Sequence, residues 1–267
     1  MSAQYPHSLT HDERRLYVTQ GYVIRESVFS SAEIDRICIA CEDLVDRLVR
    51  NRQGERETFG SYVFDADIEH GVIIKWEGDS DIVHGIEPFA HLSEDLDTWA
   101  HDPRFINPMR DILDVDTPML FTEKLNLKRP FHGGANPLHQ DYPYWVPVAD
   151  DAARIATAML FLDDSTLENG CLHVVPGSHA DGPWQGRADG DRFAANEIDQ
   201  TQYTDVDLVP VEVAAGSIVM FGPLLVHQSA PNQSPAERRA LLFSYQPPGF
   251  RTQLQALRAR TAERPTN

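Results

Sequence analysis

His139 and Asp141 place an imidazole and a carboxylate two residues apart within Leu138-His139-Gln140-Asp141-Tyr142, and His227 stands alone far downstream, after Gly216-Ser217-Ile218-Val219-Met220-Phe221. On an extended strand alternate side chains share a face, so His139 and Asp141 are expected to point the same way with Gln140 turned from them. Two histidines and one carboxylate are the ligand set that leaves three adjacent positions open on a non-haem Fe(II) ion. The chain can supply that set from His139, Asp141 and His227. A His-x-Asp tripeptide also arises by chance, and each of these groups would serve as an ordinary hydrogen-bonded residue. What separates the two readings is the set of motifs around the tripeptide.

The elements that must position these residues come from a chain of 267 residues with 42% hydrophobic, 9% aromatic and 24% charged content, an ordinary globular composition. One domain over 1–267 is expected. Lys and Arg number 23 against 41 Asp and Glu, a net charge of −18, which repels phosphate backbones and anionic membrane faces. Nucleic acid is therefore excluded as a partner, and a small cationic substrate is compatible with the acidic surface. No apolar run is long enough for a membrane helix, and the first residues lack the basic and apolar regions of a signal peptide. A soluble, cytoplasmic protein is the expectation. Cys38, Cys41 and Cys171 are an odd set that suggests no disulfide framework, and Cys38-x-x-Cys41 falls inside a helical pattern. Nothing in the sequence sets an oligomeric state.

Thr10 with Glu13 signals a capping box and a short helix that Gly21 ends before the strand-like Tyr22-Val23-Ile24. Ser30 with Glu33 opens a longer helix whose Ile34, Ile37, Cys41, Leu44, Val45 and Leu48 form one apolar stripe. Residues 51–58 read as a loop, followed by strands at Gly60–Phe64 and Gly71–Trp76, a turn at Asp79–His84 and short helices from Pro88 to Met109. The second half reads as repeated short strands: Met119–Lys128, Leu138–Tyr144, Ile155–Leu162, Cys171–Val175, Val209–Val213, Ile218–Phe221 and Ala240–Tyr245. A polar stretch at 181–206 reads as a lid-like insertion, and Thr252–Asn267 as a last helix. The fold class is mainly β with flanking α-helices, a helical buttress at about 10–110 backing a barrel or sandwich core at about 119–246.

Four motifs share the second half: His139-x-Asp141; Glu168-Asn169-Gly170-Cys171-Leu172-His173-Val174-Val175-Pro176-Gly177-Ser178-His179; Gly216-Ser217 leading to His227; and Arg238-Arg239. With these the chain resembles the phytanoyl-CoA dioxygenase family of Fe(II)/2-oxoglutarate-dependent oxygenases, from about Gly21 to Tyr245. The resemblance implies a double-stranded β-helix, the cupin-type jelly roll, with iron at one end held by His139, Asp141 and His227. It implies Fe(II) with 2-oxoglutarate and O2 as co-substrates, and the oxidation of a small molecule with release of succinate and CO2. Because related halogenases replace the carboxylate ligand by a small residue, Asp141 favours hydroxylation or another oxidative step.

The family's 2-oxoglutarate arginine is matched by Arg238, whose guanidinium offers a planar fork to a carboxylate. Strand alternation lets only one of Arg238 and Arg239 point inward, with Arg239 the reserve. Ser229 is placed to support the same carboxylate. On the strand Met119–Lys128, Thr122, Lys124, Asn126 and Lys128 share a face; Asn126 and Lys124 are the candidates for the other end of 2-oxoglutarate, with Thr157 from a neighbouring strand. Tyr142, Tyr144, Trp145, Trp76 and Phe221 are the candidate walls of a substrate pocket. His179 is assigned to loop geometry and His173 to packing. Two other functions share the ligand set: a cupin-type metal-dependent hydrolase or isomerase, which has no need of Arg238, and a non-catalytic binding barrel, which has no need of the triad.

Overall fold

The Thr10 side chain accepts from the Glu13 N–H and Glu13 reaches back to the Thr10 N–H, so α1 (His11–Gln20) begins as its sequence predicts and ends at Gly21 with φ 84°. The computed structural model describes residues 5–51, 56–59, 62–67, 70–184, 197–198, 203 and 207–262. After α1 come β1 (Tyr22–Arg25), α2 (Ser31–Asn51), β2 (Arg56–Phe59), β3 (Tyr62–Asp67), β4 (Val72–Trp76) and β5 (Val83–Glu87). Two helices follow, α3 (Glu94–Ala100) and α4 (Pro103–Leu113), then β6 (Met119–Lys128), β7 (Asn136–His139), the single turn α5 (Tyr142–Trp145) and β8 (Ala156–Phe161). The last elements are β9 (Leu172–Val174), β10 (Val209–Val211), β11 (Ile218–Phe221), β12 (His227–Ser229), β13 (Arg238–Gln246) and α6 (Gln253–Ala262).

Among the described residues, strands β6 to β13 pass between two sheets in jelly-roll order, changing sheet at every step except from β9 to β10. One sheet runs β1-β11-β8-β13-β6-β5-β4-β3-β2 and the other β10-β9-β12-β7. Strands β5 to β2 extend the larger sheet beyond β6, while β1 closes its far side against β11. Three sequence expectations change. Residues 56–58, read as loop, join Phe59 in β2, and Val83 and His84, read as the end of a turn, join Gly85, Ile86 and Glu87 in β5; both are polar or glycine-bearing segments that become strands by pairing with a neighbour. The expected strand Leu138–Tyr144 stops at His139, and Asp141 already has helical angles, φ −70° and ψ −28°. Most of the expected insertion at 181–206 lies outside the described residues; its described Trp184, Ile198 and Tyr203 pack with Leu138, Val175 and Val226.

Strand parity decides what each side of the larger sheet carries. Leu241, Phe243 and Tyr245 of β13 and Ala156, Ala158 and Leu160 of β8 face the helices, where Ile37, Cys41 and Leu44 of α2 and Phe105 of α4 complete the main core. Phe105 stacks on Phe29 at 5.3 Å and meets Phe243 edge-on at 5.1 Å. The alternate residues turn into the space between the sheets, where Met159, Phe161, Leu172, Val174, Phe221 and Ala240 form a second core. Because both faces are covered, β8 is buried at every position, which hides its period from sequence reading. Among the described residues no helix is long and apolar enough to cross a membrane.

Glu123, on the helix face of β6, is buried and accepts from the backbone N–H groups of Phe89 and Ala90. Burial pushes its carboxyl up to about 7 from 4.5. Between those values the folded chain holds a proton that the unfolded chain has released, so this group's contribution to stability falls as pH rises through the window. Glu123→Gln keeps an acceptor and removes the charge. It is expected to raise Tm at about pH 8, by the equivalent of up to about 3 kcal/mol, and to leave Tm unchanged near pH 4. Thermal melts of both proteins at the two pH values check this.

Candidate active site

His139 ends β7 and His227 begins β12, and the two are register partners across the smaller sheet, with ring centroids 4.2 Å apart. Pairing of distant strands therefore brings the two imidazoles together. Asp141 reaches them by a different route from the one expected of a strand. The chain turns at Gln140, whose side chain is buried and donates to the carbonyls of Gly182 and Leu224 while accepting from the Trp184 N–H. Asp141 then stands at the N-terminal end of α5, its Oδ1 3.8 Å from His139 Nε2. One ligand atom from each of His139, Asp141 and His227 lies within 4.8 Å of the others, a metal-sized cluster.

Backbone carbonyls set the ring tautomers. His139 Nδ1–H donates to the Pro137 carbonyl at 2.7 Å and His227 Nδ1–H to that of Leu225 at 2.9 Å, leaving each Nε2 lone pair for a metal. Burial, and then the neighbouring His227, drive His139 well below the usual imidazole value, while burial raises the Asp141 carboxyl. Crowded polar groups of this kind are stabilised in their ligating forms when a divalent cation supplies the missing positive charge.

The cluster opens into a cavity of about 80 Å³ lined by both sheets. Arg238 and Arg239 separate by parity. Arg238 shares the inner face of β13, is 1% exposed and lines the cavity. Arg239 points to the helices and pairs with Asp163 at 2.8 Å and Glu42 at 3.1 Å. Arg238 Nη2 donates to the Gly170 carbonyl at 2.8 Å, Nε has no partner, and no carboxylate pairs with it among the described residues. Its guanidinium is lowered to about 10 by burial. A buried cation without an anion costs several kcal/mol, so this end of the cavity is built for an anionic group. Lys128, the register partner of Arg238, places a buried amine beside it, lowered to about 7 by burial and held off the cavity by the carbonyls of Gly134 and Ala230.

Of the other residues singled out from sequence, Asn126, Lys124, Ser229, Thr157, Trp145 and Phe221 line the same cavity. Asn126 Oδ1 is buried without a partner, a second orphaned polar atom aimed at the space. Thr157 and Ser244 satisfy each other through their hydroxyls at 2.8 Å. Phe221 packs on His227 at 5.2 Å, and Tyr144 meets the His139 ring edge-on at 5.7 Å without lining the cavity. Tyr142 is half-buried outside the lining, its N–H bound to the Pro223 carbonyl. Trp76 is displaced altogether: the alternation of β4 sends it, with Val72 and Ile74, into the main core, under the Arg56 guanidinium.

Asn136 and Glu87 are among the cavity residues that carried no sequence signal. Asn136, at the start of β7, bonds Ser229 Oγ at 3.2 Å and lies 3.3 Å from His84 Nε2, which Glu77 holds through Nδ1 at 2.6 Å. This chain of contacts fixes the polar groups beside His227. Glu87 ends β5, a strand the sequence did not predict, and so escaped notice.

A two-histidine, one-carboxylate cluster between the sheets of a jelly roll, facing a buried arginine that no acid pairs among the described residues, is the construction of a non-haem iron and 2-oxoglutarate-dependent oxygenase. The phytanoyl-CoA dioxygenase (PhyH) model matches residues 17–240, and the chain belongs to that family of oxidoreductases. A phytanoyl-CoA dioxygenase of Arabidopsis thaliana is 26% identical over 249 residues, covering 87% of each chain. A phytanoyl-CoA dioxygenase domain-containing protein 1 homologue of Dictyostelium discoideum is 34% identical over 266 residues, covering 89% of this chain and 91% of its own. Among solved structures, EctD from S. alaskensis with 2-oxoglutarate and 5-hydroxyectoine superposes with a TM-score of 0.69 at 22% identity, covering 90% of this chain and 76% of that one.

Proposed function

We propose that this oxygenase hydroxylates an unactivated C–H bond of a small metabolite, with His139, Asp141 and His227 holding Fe(II) and Arg238 holding the far carboxylate of 2-oxoglutarate. The observation that carries this reading is the buried Arg238, unpaired by any acid among the described residues, sharing one cavity with the three ligating side chains. Iron with 2-oxoglutarate and O2 supplies the oxidising power, at the expense of decarboxylating the co-substrate to succinate.

The protein's own residues bind, orient and exclude water. Pro137 and Leu225 carbonyls keep both ligating Nε2 atoms unprotonated. Ser229, fixed by Asn136, offers a hydroxyl toward the Arg238 end, and Asn126 a partnerless amide oxygen whose amide nitrogen serves a carboxylate. Met159, Leu172, Phe221 and Leu242 give the cavity apolar walls that keep bulk water from the reacting carbon. Thr157 is a lesser contact, since Ser244 already occupies its hydroxyl. A hydrolase or isomerase would leave Arg238 without a purpose. The net charge of −18 also opposes a polyanionic CoA thioester. The chain acts as one unit in this reading, because β1 from its N-terminal part pairs with β11 of the jelly roll.

Anaerobic titration of the apoprotein with Fe(II) and then 2-oxoglutarate tests the proposal. A weak visible charge-transfer band from the bidentate chelate is the expected result. Iron binding with no band on adding 2-oxoglutarate would overturn it.

A further inference from the structure

Glu87 and Lys124 face each other across β5 and β6, one register step beyond the Gly85–Asn126 and Ile86–Leu125 pairs, and both line the cavity. Their charged atoms are 3.7 Å apart, and their side chains remain 30% and 34% exposed. Neither side chain makes a hydrogen bond among the described residues, so an ammonium with three donors and a carboxylate with two acceptor oxygens meet only through this loose contact. They share that cavity with the ligating side chains of His139, Asp141 and His227. Gly85 lets β5 approach β6 closely beside them: a Cβ there would come 3.0 Å from the Leu125 carbonyl and 3.4 Å from Asn126 Oδ1.

Charge balance then separates the two ends of the cavity. Resting on the function proposed above, Fe(II) brings two positive charges, 2-oxoglutarate two negative ones, Asp141 one negative and Arg238 one positive, so that group is neutral by itself. Of the cavity's charged residues Glu87 and Lys124 are left over, one of each sign. A net cation or a net anion would satisfy one and strand the other, at the cost of an unpaired charge in a half-dry site.

We infer that Glu87 and Lys124 form a substrate anchor for a small zwitterion, the ammonium of an amino acid bound by Glu87 and its carboxylate by Lys124. An α- or β-amino acid holds its two charges one or two carbons apart, a separation that lets it lie alongside Glu87 and Lys124, 3.7 Å apart, with each of its charges against the opposite one. This assigns Lys124 to the substrate in place of 2-oxoglutarate, and it replaces a simple cation by a molecule carrying both signs.

The test uses the full chain loaded anaerobically with Fe(II) and 2-oxoglutarate, and calorimetric binding of a panel of α- and β-amino acids and cyclic imino acids, each with its N-acetyl and methyl-ester counterparts. At least one zwitterion is expected to bind while both of its blocked forms fail. Glu87→Gln and Lys124→Met are each expected to weaken that binding about tenfold or more while the chelate band and the affinity for 2-oxoglutarate stay unchanged. No binding by any zwitterion, equal binding of blocked forms, or wild-type affinity in both variants would overturn the anchor. So would a Lys124→Met protein that loses 2-oxoglutarate affinity instead. Absence of the chelate band in the wild type would sink the oxygenase reading itself, a failure distinct from these.

Discussion

Asp141→Ala is expected to lower 2-oxoglutarate turnover by at least about 10³-fold, the equivalent of roughly 4 kcal/mol, with the fold retained. Asp141 is the one anionic group in the cluster, and without it a divalent cation meets two neutral imidazoles whose Nδ1–H groups are committed to Pro137 and Leu225. The side chain stands at the end of a short turn and makes no cap hydrogen bond, so its removal leaves the backbone of α5 intact. Succinate release, metal content after desalting and far-UV circular dichroism check the three parts of this outcome. Wild-type turnover in Asp141→Ala would remove it from the metal site.

Arg238→Met is expected to raise the KM for 2-oxoglutarate by about 10²-fold or more, the scale of truncating one partner of a buried, hydrogen-bonded charge pair at 2–5 kcal/mol. Bound Fe(II) should be unaffected, since Arg238 makes its hydrogen bond to Gly170 and not to a ligand. Arg238→Lys should recover little, because an ammonium cannot reproduce the planar fork. Arg239→Met provides the control. Its side chain bridges Asp163 and Glu42 on the opposite face, so that variant should lose thermal stability while keeping its KM for 2-oxoglutarate. Equal effects of the two arginine variants on that KM would overturn the parity assignment.

Arg238 and Arg239 mark how far residue patterns reach. An alternating strand tells that Arg238 and Arg239 face opposite ways, but not which way is inward. That follows once Leu241, Phe243 and Tyr245 are seen packed against the helices. The polar row Thr122, Lys124 and Asn126 on β6 was legible for the same reason, because a strand half-facing a wet cavity keeps its period of two. Trp76 shows the limit. Its aromatic ring suits a pocket wall or a core equally, and the register of β4 on β5 put it in the core.

What the sequence determined by itself was the identity of the chemistry. Ligand types are a matter of which atoms a residue owns, and two histidines, an aspartate and an arginine in this company admit few uses. Caps and amphipathic stripes, which act over three or four residues, were legible too, as in Thr10–Glu13 and the buried face of α2. Only the tertiary structure decided that Asp141 approaches from a helical turn, that β5 exists, and that Glu87 thereby meets Lys124 beside the cluster. Those facts depend on pairing between segments distant along the chain, where the free energy of a strand lies in its neighbours and leaves no local mark on its residues.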